Sequence, residues 1–471
     1  IEKRIGTEAL GATQSERLIG MAELQIEDVS YFVRIGLTDA QVLDKANLTW
    51  ASIMNGSALT GTTDSILSAT FSYISGSRVL IFTNYTDAIQ SYDGATDAAD
   101  LAGTPPLAKF VLQFGPYLLL MNITDGGNVY ESRVQWSDTA DPTNWSTGNA
   151  NSADLIDDPE AITGGGLFGP YATIHKDSCI YVASIVSTSE VIVFDRKATG
   201  VGTCNHNTIQ SLPTGEQIFL ARDGFHLFNG LTAPLIPNDI QDEIRESLNS
   251  AYLHRCWSIL VPEADEYWCG IPIGDQTEAE TVYKFNYRTK QMFKDYRPGI
   301  TCAAKYLNTA QITWQDKSIT WDADTTIWNS IQYLSLNPQI AFGDNAGLVT
   351  KRAVIAGDVG VAINAYWESK DFSAIDFGSP DMDRMIRWQK LQLWAKGDYL
   401  KVQYSTDQGY SWVDVETVDL ASTFPTDADP MVLYFDVVSS MIRFRFSNAT
   451  LGESFSLKKF VIYGIAREER T

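Results

Sequence analysis

Chemistry in this 471-residue chain would have to come from paired carboxylates, four histidines, five cysteines or a run of glycines. Asp157-Asp158, Asp322/Asp324 and Asp381/Asp383 set two acids close together, a spacing that could serve a general acid and base or offer oxygen ligands to a cation. With 58 Asp and Glu in the chain such pairs arise by chance, and neither Asp322-Ala323-Asp324 nor Asp381-Met382-Asp383 has the full spacing of a calcium loop. His175, His206, His226 and His254 lie scattered, without the spacing that puts two imidazoles on one helix face, so each is expected to be structural. Cys179, Cys204, Cys256, Cys269 and Cys302 are odd in number and far apart, which predicts buried free thiols instead of a disulfide scaffold or metal site. Gly164-Gly165-Gly166 lacks the Lys of a phosphate cradle and reads as a loop feeding a strand. No catalytic, cofactor or metal site is expected.

The most informative local pattern is Ser405-Thr406-Asp407-Gln408-Gly409-Tyr410-Ser411-Trp412, whose chemistry is that of a turn. Ser405 and Asp407 hydrogen-bond a tight reversal, Gly409 supplies a positive φ, and Trp412 packs the hairpin onto the layer beneath. The pattern resembles the Asp-box of β-propellers such as sialidases and of other surface-binding β proteins, and it marks a fold, not a reaction centre. A sialidase would bring several such boxes, an Arg triad and a Tyr-Glu pair. One box is present, and Arg196, Arg222, Arg245, Arg255, Arg288 and Arg297 form no triad in the linear order. Trp388, Trp394 and Trp412 could stack on sugars, yet in alternating strands they are expected to be core.

The elements that would position these groups are short strands. Aromatics make up 11% of the chain, with 34 Gly, and apolar runs such as Lys109 to Phe114 and Tyr117 to Asn122 alternate with Asp-Gly and Asn-Gly turns at 93–94, 125–126, 223–224 and 229–230. Hairpins recurring every 40 to 50 residues or so predict an all-β protein: a β-propeller of six or seven blades over 1–360, then a C-terminal β-sandwich or jelly roll over 361–471 that carries the Asp-box. In the sandwich, Ile442, Phe444 and Phe446 alternate with Arg443, Arg445 and Ser447, the pattern of a half-buried strand. One helix is predicted from Asn238 to Tyr252, capped by Asn238 and Gln241, with Ile240, Ile244 and Leu248 on one stripe and Asp239, Asp242, Glu243 and Glu246 on a solvated face. No apolar run reaches membrane-spanning length, so no membrane insertion is expected. The chain begins at Ile1, which implies processing or a longer leader. Sequons at Asn47, Asn55, Asn84, Asn122, Asn144 and Asn448 follow from turn composition and are not read as glycosylation.

A formal charge of −23 argues against a conventional nucleic-acid-binding module, although an acidic wall lets a polyanion slide past without sticking. Three further stretches then bear on the family: Glu2-Lys3-Arg4-Ile5-Gly6-Thr7-Glu8; Val134-Gln135-Trp136-Ser137-Asp138 through Asp141-Pro142-Thr143-Asn144-Trp145; and Phe219-Leu220-Ala221-Arg222-Asp223-Gly224-Phe225-His226-Leu227-Phe228-Asn229-Gly230. In this order, followed by the helix and the Asp-box, the chain resembles the tail nozzle, or packaged-DNA stabilisation protein, of short-tailed bacteriophages, with Ile5 where Pro is commoner. That resemblance implies a virion tail part and not an enzyme. It implies a homohexamer below the portal and adaptor that continues the DNA channel and retains and guides the genome. It also implies contact with a tail needle or plug and with tail fibre or tailspike proteins. The alternative from another class is a sialidase-like glycosidase or a carbohydrate-binding adhesin.

Overall fold

Gly115-Pro116 turns Leu107–Phe114 back on Tyr117–Asp125, with Phe114 opposite Tyr117, and the same antiparallel move repeats along the chain. The computed structural model describes all residues except 1–2, 28, 55, 57, 187–190, 239, 308–337, 354, 356, 380, 382, 427–428 and 467–471. Two compact units result: Leu10–Lys351, and Ile1–Ala9 together with Arg352–Thr471. The division thus puts the first nine residues with the C-terminal unit and the junction at 351/352, where the sequence reading drew one boundary at 360.

Leu10–Lys351 is a β-propeller. Its sheets follow one another in sequence over 18–52, 68–100, 107–154, 162–199, 210–228 and 257–296, each ordered from first strand to last as the chain runs, and Ile300–Tyr306, Gln339–Asp344 and Val349–Arg352 continue the series. First strands of neighbouring sheets pack against each other, so they surround the axis. An apolar layer fills each gap between consecutive blades: Ile35 with Leu80, Ile81 with Leu118, Leu119 with Ile174, Ile180 with Phe219, Phe225 with Tyr267, and Trp268 with Phe342. A seventh layer, with Phe32 and Tyr306 rings 5.1 Å apart, joins the last sheet to the first and closes the circle. The Leu10 N–H also donates to the Val349 carbonyl at 2.8 Å. Stability is therefore shared among seven apolar layers, and both faces of nearly every central strand are buried. This is why those strands read as continuous apolar runs and not as clean alternation.

The other unit is a β-sandwich. Ala365–Glu368, Met441–Asn448, Tyr399–Ser405 and Val413–Asp419 form one sheet, with Phe372–Ser373 also on Met441–Asn448, and Met431–Ser439, Ile386–Gly397 and Phe455–Ala466 form the second. Ile442, Phe444 and Phe446 point inward, fully buried with Trp388 and Leu391, while Arg443 and Arg445 point out, as the alternation predicts. Thr7–Ala9 pairs in parallel with Gly357–Asp358 in this same unit.

Two local expectations are corrected. The α-helix covers only Ile240–Ser247, because Asn249 caps a separate 3-10 turn over Ser250–Arg255. Gln241 does not cap the helix. It is buried, and its side chain accepts from the Phe225 N–H and donates to the Phe225 and Ile236 carbonyls, tying the helix to the fifth blade. Asn238 does act at the start, accepting from the Ile240 N–H at 2.9 Å. Gly164-Gly165-Gly166 is not a loop: it lies inside Ile162–Phe168, the innermost strand of the fourth blade.

Candidate functional site

The triglycine strand explains what fills the propeller axis. A Cβ at Gly164 would stand 2.8 Å from the His206 Cα, closer than real Cβ contacts come, so only glycine admits the segment around His206. That segment, which leads into the fifth blade, crosses to the others. The His206 Nε2 lies 3.0 Å from the Ser68 Oγ of the second blade, the ring packs at a tilt 4.9 Å from Phe110 of the third, and its Nδ1 accepts from the Gly165 N–H of the fourth. Asn205 Nδ2 donates to the Leu253 and Cys256 carbonyls, the Tyr267 hydroxyl donates to the Thr208 carbonyl, and the Ser258 hydroxyl donates to the Asn207 carbonyl, fixing the strap to the sixth blade. Desolvation drives His206 down to about 4, so the imidazole is neutral at physiological pH and its Nδ1 is free to accept.

Charged groups form a second crossing. Arg17 precedes the innermost strand of the first blade, Asp64 that of the second, and His254 and Arg255 that of the sixth, while Glu278 sits in a loop of the sixth. Glu278 Oε1 accepts from both Arg17 and, at 3.1 Å, Arg255. Arg255 also reaches Asp64 at 3.1 Å, as does His254. Arg255 hydrogen-bonding holds the Asp64 carboxyl below its usual value, and burial lowers His254 despite the Asp64 charge. Chemically this is a lattice of mutually neutralising charges. Its carboxylates are paired with guanidinium groups, and together with the His206 strap it ties blades that are not neighbours in the circle. Sequence reasoning missed Arg17, Asp64 and Glu278. Their common signal is position, directly before an innermost strand or in a loop of the same blade, and that is visible only once blades are assigned.

In the sandwich unit the Asp-box closes on itself. The Ser405 hydroxyl donates to Asp407 Oδ1 at 2.7 Å and accepts from the Gly409 N–H at 2.8 Å, while Asp407 accepts from the Ser411 N–H at 2.9 Å and from the Ser411 hydroxyl. These donors, the Ser411 hydroxyl first, pull the Asp407 carboxyl down to about 2. Gly409 has φ +93°. Trp412 is half-buried, with the Arg445 guanidinium 3.9 Å above its ring. Trp388 is fully buried and Trp394 nearly so. Burial leaves neither Trp388 nor Trp394 a free stacking face of the kind a sugar site needs.

The remaining candidates are scattered. Asp158 accepts from the Tyr181 hydroxyl at 2.8 Å and from Arg196. Asp381 accepts from the Asp383 N–H within its own turn, and Asp322/Asp324 lie outside the described residues. Arg222, Arg245 and Arg288 pair with Asp177, Asp242 and Asp265 respectively, and Arg297 pairs with Asp295 and lies 4.6 Å from the Phe342 ring, so the six arginines converge on no common carboxylate-binding cleft. His175 is fully buried against Gln217, and burial lowers it to about 4. Burial pushes all five thiols up, those of Cys179, Cys204 and Cys302 to about 12, far from a reactive thiolate. Among the described residues no cluster of His, Cys, Asp and Glu could hold a metal, and no helix is long and apolar enough to cross a membrane. Asn84, Asn122 and Asn448 are buried.

No family model and no curated protein matches the chain. Solved structures similar to it include BamB from Moraxella catarrhalis (12% identity, 74% of this chain and 93% of that one, TM-score 0.38). Saccharomyces cerevisiae Sqt1 is similar over 74% of this chain and 99% of its own, at 9% identity and TM-score 0.41. PorZ, a surface component of the type IX secretion system of Porphyromonas gingivalis, is similar over 87% of this chain and 46% of its own, at 10% identity and TM-score 0.37. Likenesses of this size leave function to be argued from the residues.

Proposed function

We propose that the chain is a structural, non-catalytic component of a bacteriophage tail, a nozzle subunit that assembles as a homohexamer around a conduit for genomic DNA and works in the virion. The observation that carries the non-catalytic half of this reading is the commitment of its ionisable groups. At the axis, where a propeller enzyme would keep an open cleft, Glu278 and Asp64 pair with Arg17, Arg255 and His254, and the His206 imidazole is bonded to Ser68. With the axis crossed in this way, the conduit of this reading is one formed by several copies arranged around it.

Charge supports the conduit. The propeller unit has 20 Lys and Arg against 39 Asp and Glu, a net of −19, and the other unit carries the remaining −4. Acidic propellers facing a lumen repel phosphate and keep DNA mobile. Partners at the two ends of such a ring would be a portal-side adaptor above, a needle or plug below, and fibre or tailspike proteins at the side. Mass photometry, alone and with a portal-side partner, tests the assembly, and a titration against free duplex DNA tests the lumen. Hexamers with weak DNA binding are expected. A stable monomer inside the assembled particle, or tight and steeply salt-dependent DNA binding, refutes the nozzle. Turnover of sialosides or capsular polysaccharide, abolished by changing one carboxylate, would establish the glycosidase alternative instead.

A further inference from the structure

In the sandwich unit a lysine amine is held out of water between two amide oxygens. Lys3 is 6% exposed, and its Nζ donates to the Asn448 Oδ1 and to the Thr450 carbonyl, both at 2.9 Å. A buried ammonium ordinarily sits against a carboxylate. Burial lowers the Lys3 amine from its ordinary value, against the opposing charge of Glu453, and so favours the neutral, nucleophilic form. Asn448 is 5% exposed and ends the strand Met441–Asn448, 445 residues along the chain from Lys3.

Asn448 is placed as the electrophile. Its Oδ1 also accepts from the Thr450 N–H at 3.1 Å, the kind of donor that a developing oxyanion needs. Its Nδ2, the leaving group of an attack on Cγ, donates to Glu453 Oε2 at 3.2 Å and to the Tyr399 carbonyl at 2.9 Å. Cγ lies one C=O bond, about 1.2 Å, beyond the oxygen that Lys3 holds, so Nζ stands near the roughly 3–3.5 Å at which such atoms react. Amine, carbonyl, oxyanion donor and a carboxyl at the leaving nitrogen thus belong to one hydrogen-bonded cluster. Lys3 also lines a cleft of about 390 Å³ with Asp398, Ser454 and Phe455, through which a small product can leave.

We propose that Lys3 and Asn448 join in an intramolecular amide bond between Nζ and Cγ, with Glu453 as the proton carrier. The Lys3 ammonium first gives a proton to the Glu453 carboxylate. Nζ then adds to Cγ while the Thr450 N–H holds the oxygen. Glu453 protonates Nδ2 as the Cγ–Nδ2 bond breaks and takes a proton from Nζ as the new amide forms, and the proton it then holds leaves with the ammonia as ammonium. One C–N bond forms, one breaks, and no oxidant, reductant or cofactor enters. The reaction runs once, on the chain itself, and is independent of the assembly proposed above. It ties the segment that leads into Thr7–Ala9 to the strand Met441–Asn448 by a bond that denaturant does not reverse.

The test is intact-mass spectrometry of the full chain, denatured after folding, followed by proteolysis and tandem fragmentation. The expected result is a mass about 17 Da below that of the sequence, the loss of one ammonia, with a branched peptide joining Lys3 to Asn448. Lys3→Arg keeps a cation that can hydrogen-bond and should show neither. Glu453→Gln, verified as folded by thermal melting, should slow bond formation by about a hundredfold, an effect that a merely structural Glu453 would not have. A wild-type chain of undiminished mass, or an ammonia loss that fragmentation places elsewhere, overturns the cross-link. A Glu453→Gln chain that forms the bond at the wild-type rate overturns the role given to Glu453.

Discussion

Glu278 is the residue on which the axial crossing turns, and Glu278→Gln is the substitution that isolates it. The change is nearly isosteric, so packing is kept and only the charge is lost. Arg17 and Arg255 have side chains 8% and 11% exposed, and both depend on the same Glu278 oxygen. Arg255 keeps Asp64, itself 68% exposed, whereas Arg17 loses the carboxylate it pairs with among the described residues. Removing one partner of a buried pair costs about 3–5 kcal/mol because the remaining charge stays desolvated. The glutamine oxygen still accepts one hydrogen bond, which places the expected loss near the lower end, about 3 kcal/mol. The assay is urea unfolding followed by tryptophan fluorescence, at low salt and in 0.5 M salt, and the loss should survive the salt because burial limits screening. Asp436→Asn, on the Arg387 pair at 47% and 55% exposure, is the control and should cost less than about 1 kcal/mol. A Glu278→Gln protein within about 0.5 kcal/mol of wild type, or one matching the Asp436 control, would refute the view that the crossing holds the blades together.

Gly409→Val should cost about 2–3 kcal/mol, from a β-branched residue forced to φ +93°, and differential scanning calorimetry would show it as a drop in the transition of the sandwich unit. Gly164→Ala should cost about 1–3 kcal/mol, since the added methyl meets the His206 backbone at 2.8 Å, and equilibrium unfolding would read it. His175 has a folded value near 4 against 6.5 unfolded, so its contribution is complete above pH 6.5. As pH falls from 6.5 towards 4 the unfolded state takes up a proton that the folded state refuses, and stability drops by about 3 kcal/mol, levelling off below 4 as the folded imidazole protonates too. Melting across that window checks this, and His175→Gln should flatten the slope.

The sequence by itself determined the class of structure. Turn pairs and short aromatic-rich strands required hairpins, and a spacing of one four-stranded unit after another left the propeller as the way to bury both faces of each sheet. Ile442, Phe444 and Phe446 fixed their own orientation, because a strand has period two and Arg443 and Arg445 had to face water. The turn at Ser405, Asp407 and Gly409 was legible for the same reason, since every hydrogen bond in it spans four residues or fewer. Nothing local marked the axis. The bonds that fill it join Arg17 to Glu278, Asp64 to Arg255 and Ser68 to His206, each pair far apart in the chain and brought together only when the blades close into a circle. The same distance hid Gly164: its neighbours suggested a loop feeding a strand, and only the approach of the His206 strap shows why the strand needs a residue without a side chain there. Gln241 was misread as a cap because its spacing suited one, while a buried strand edge at Phe225 offered it a donor and an acceptor at once. Short-range patterns are written by the backbone's own periodicity. What meets across a closed ring is decided by the ring.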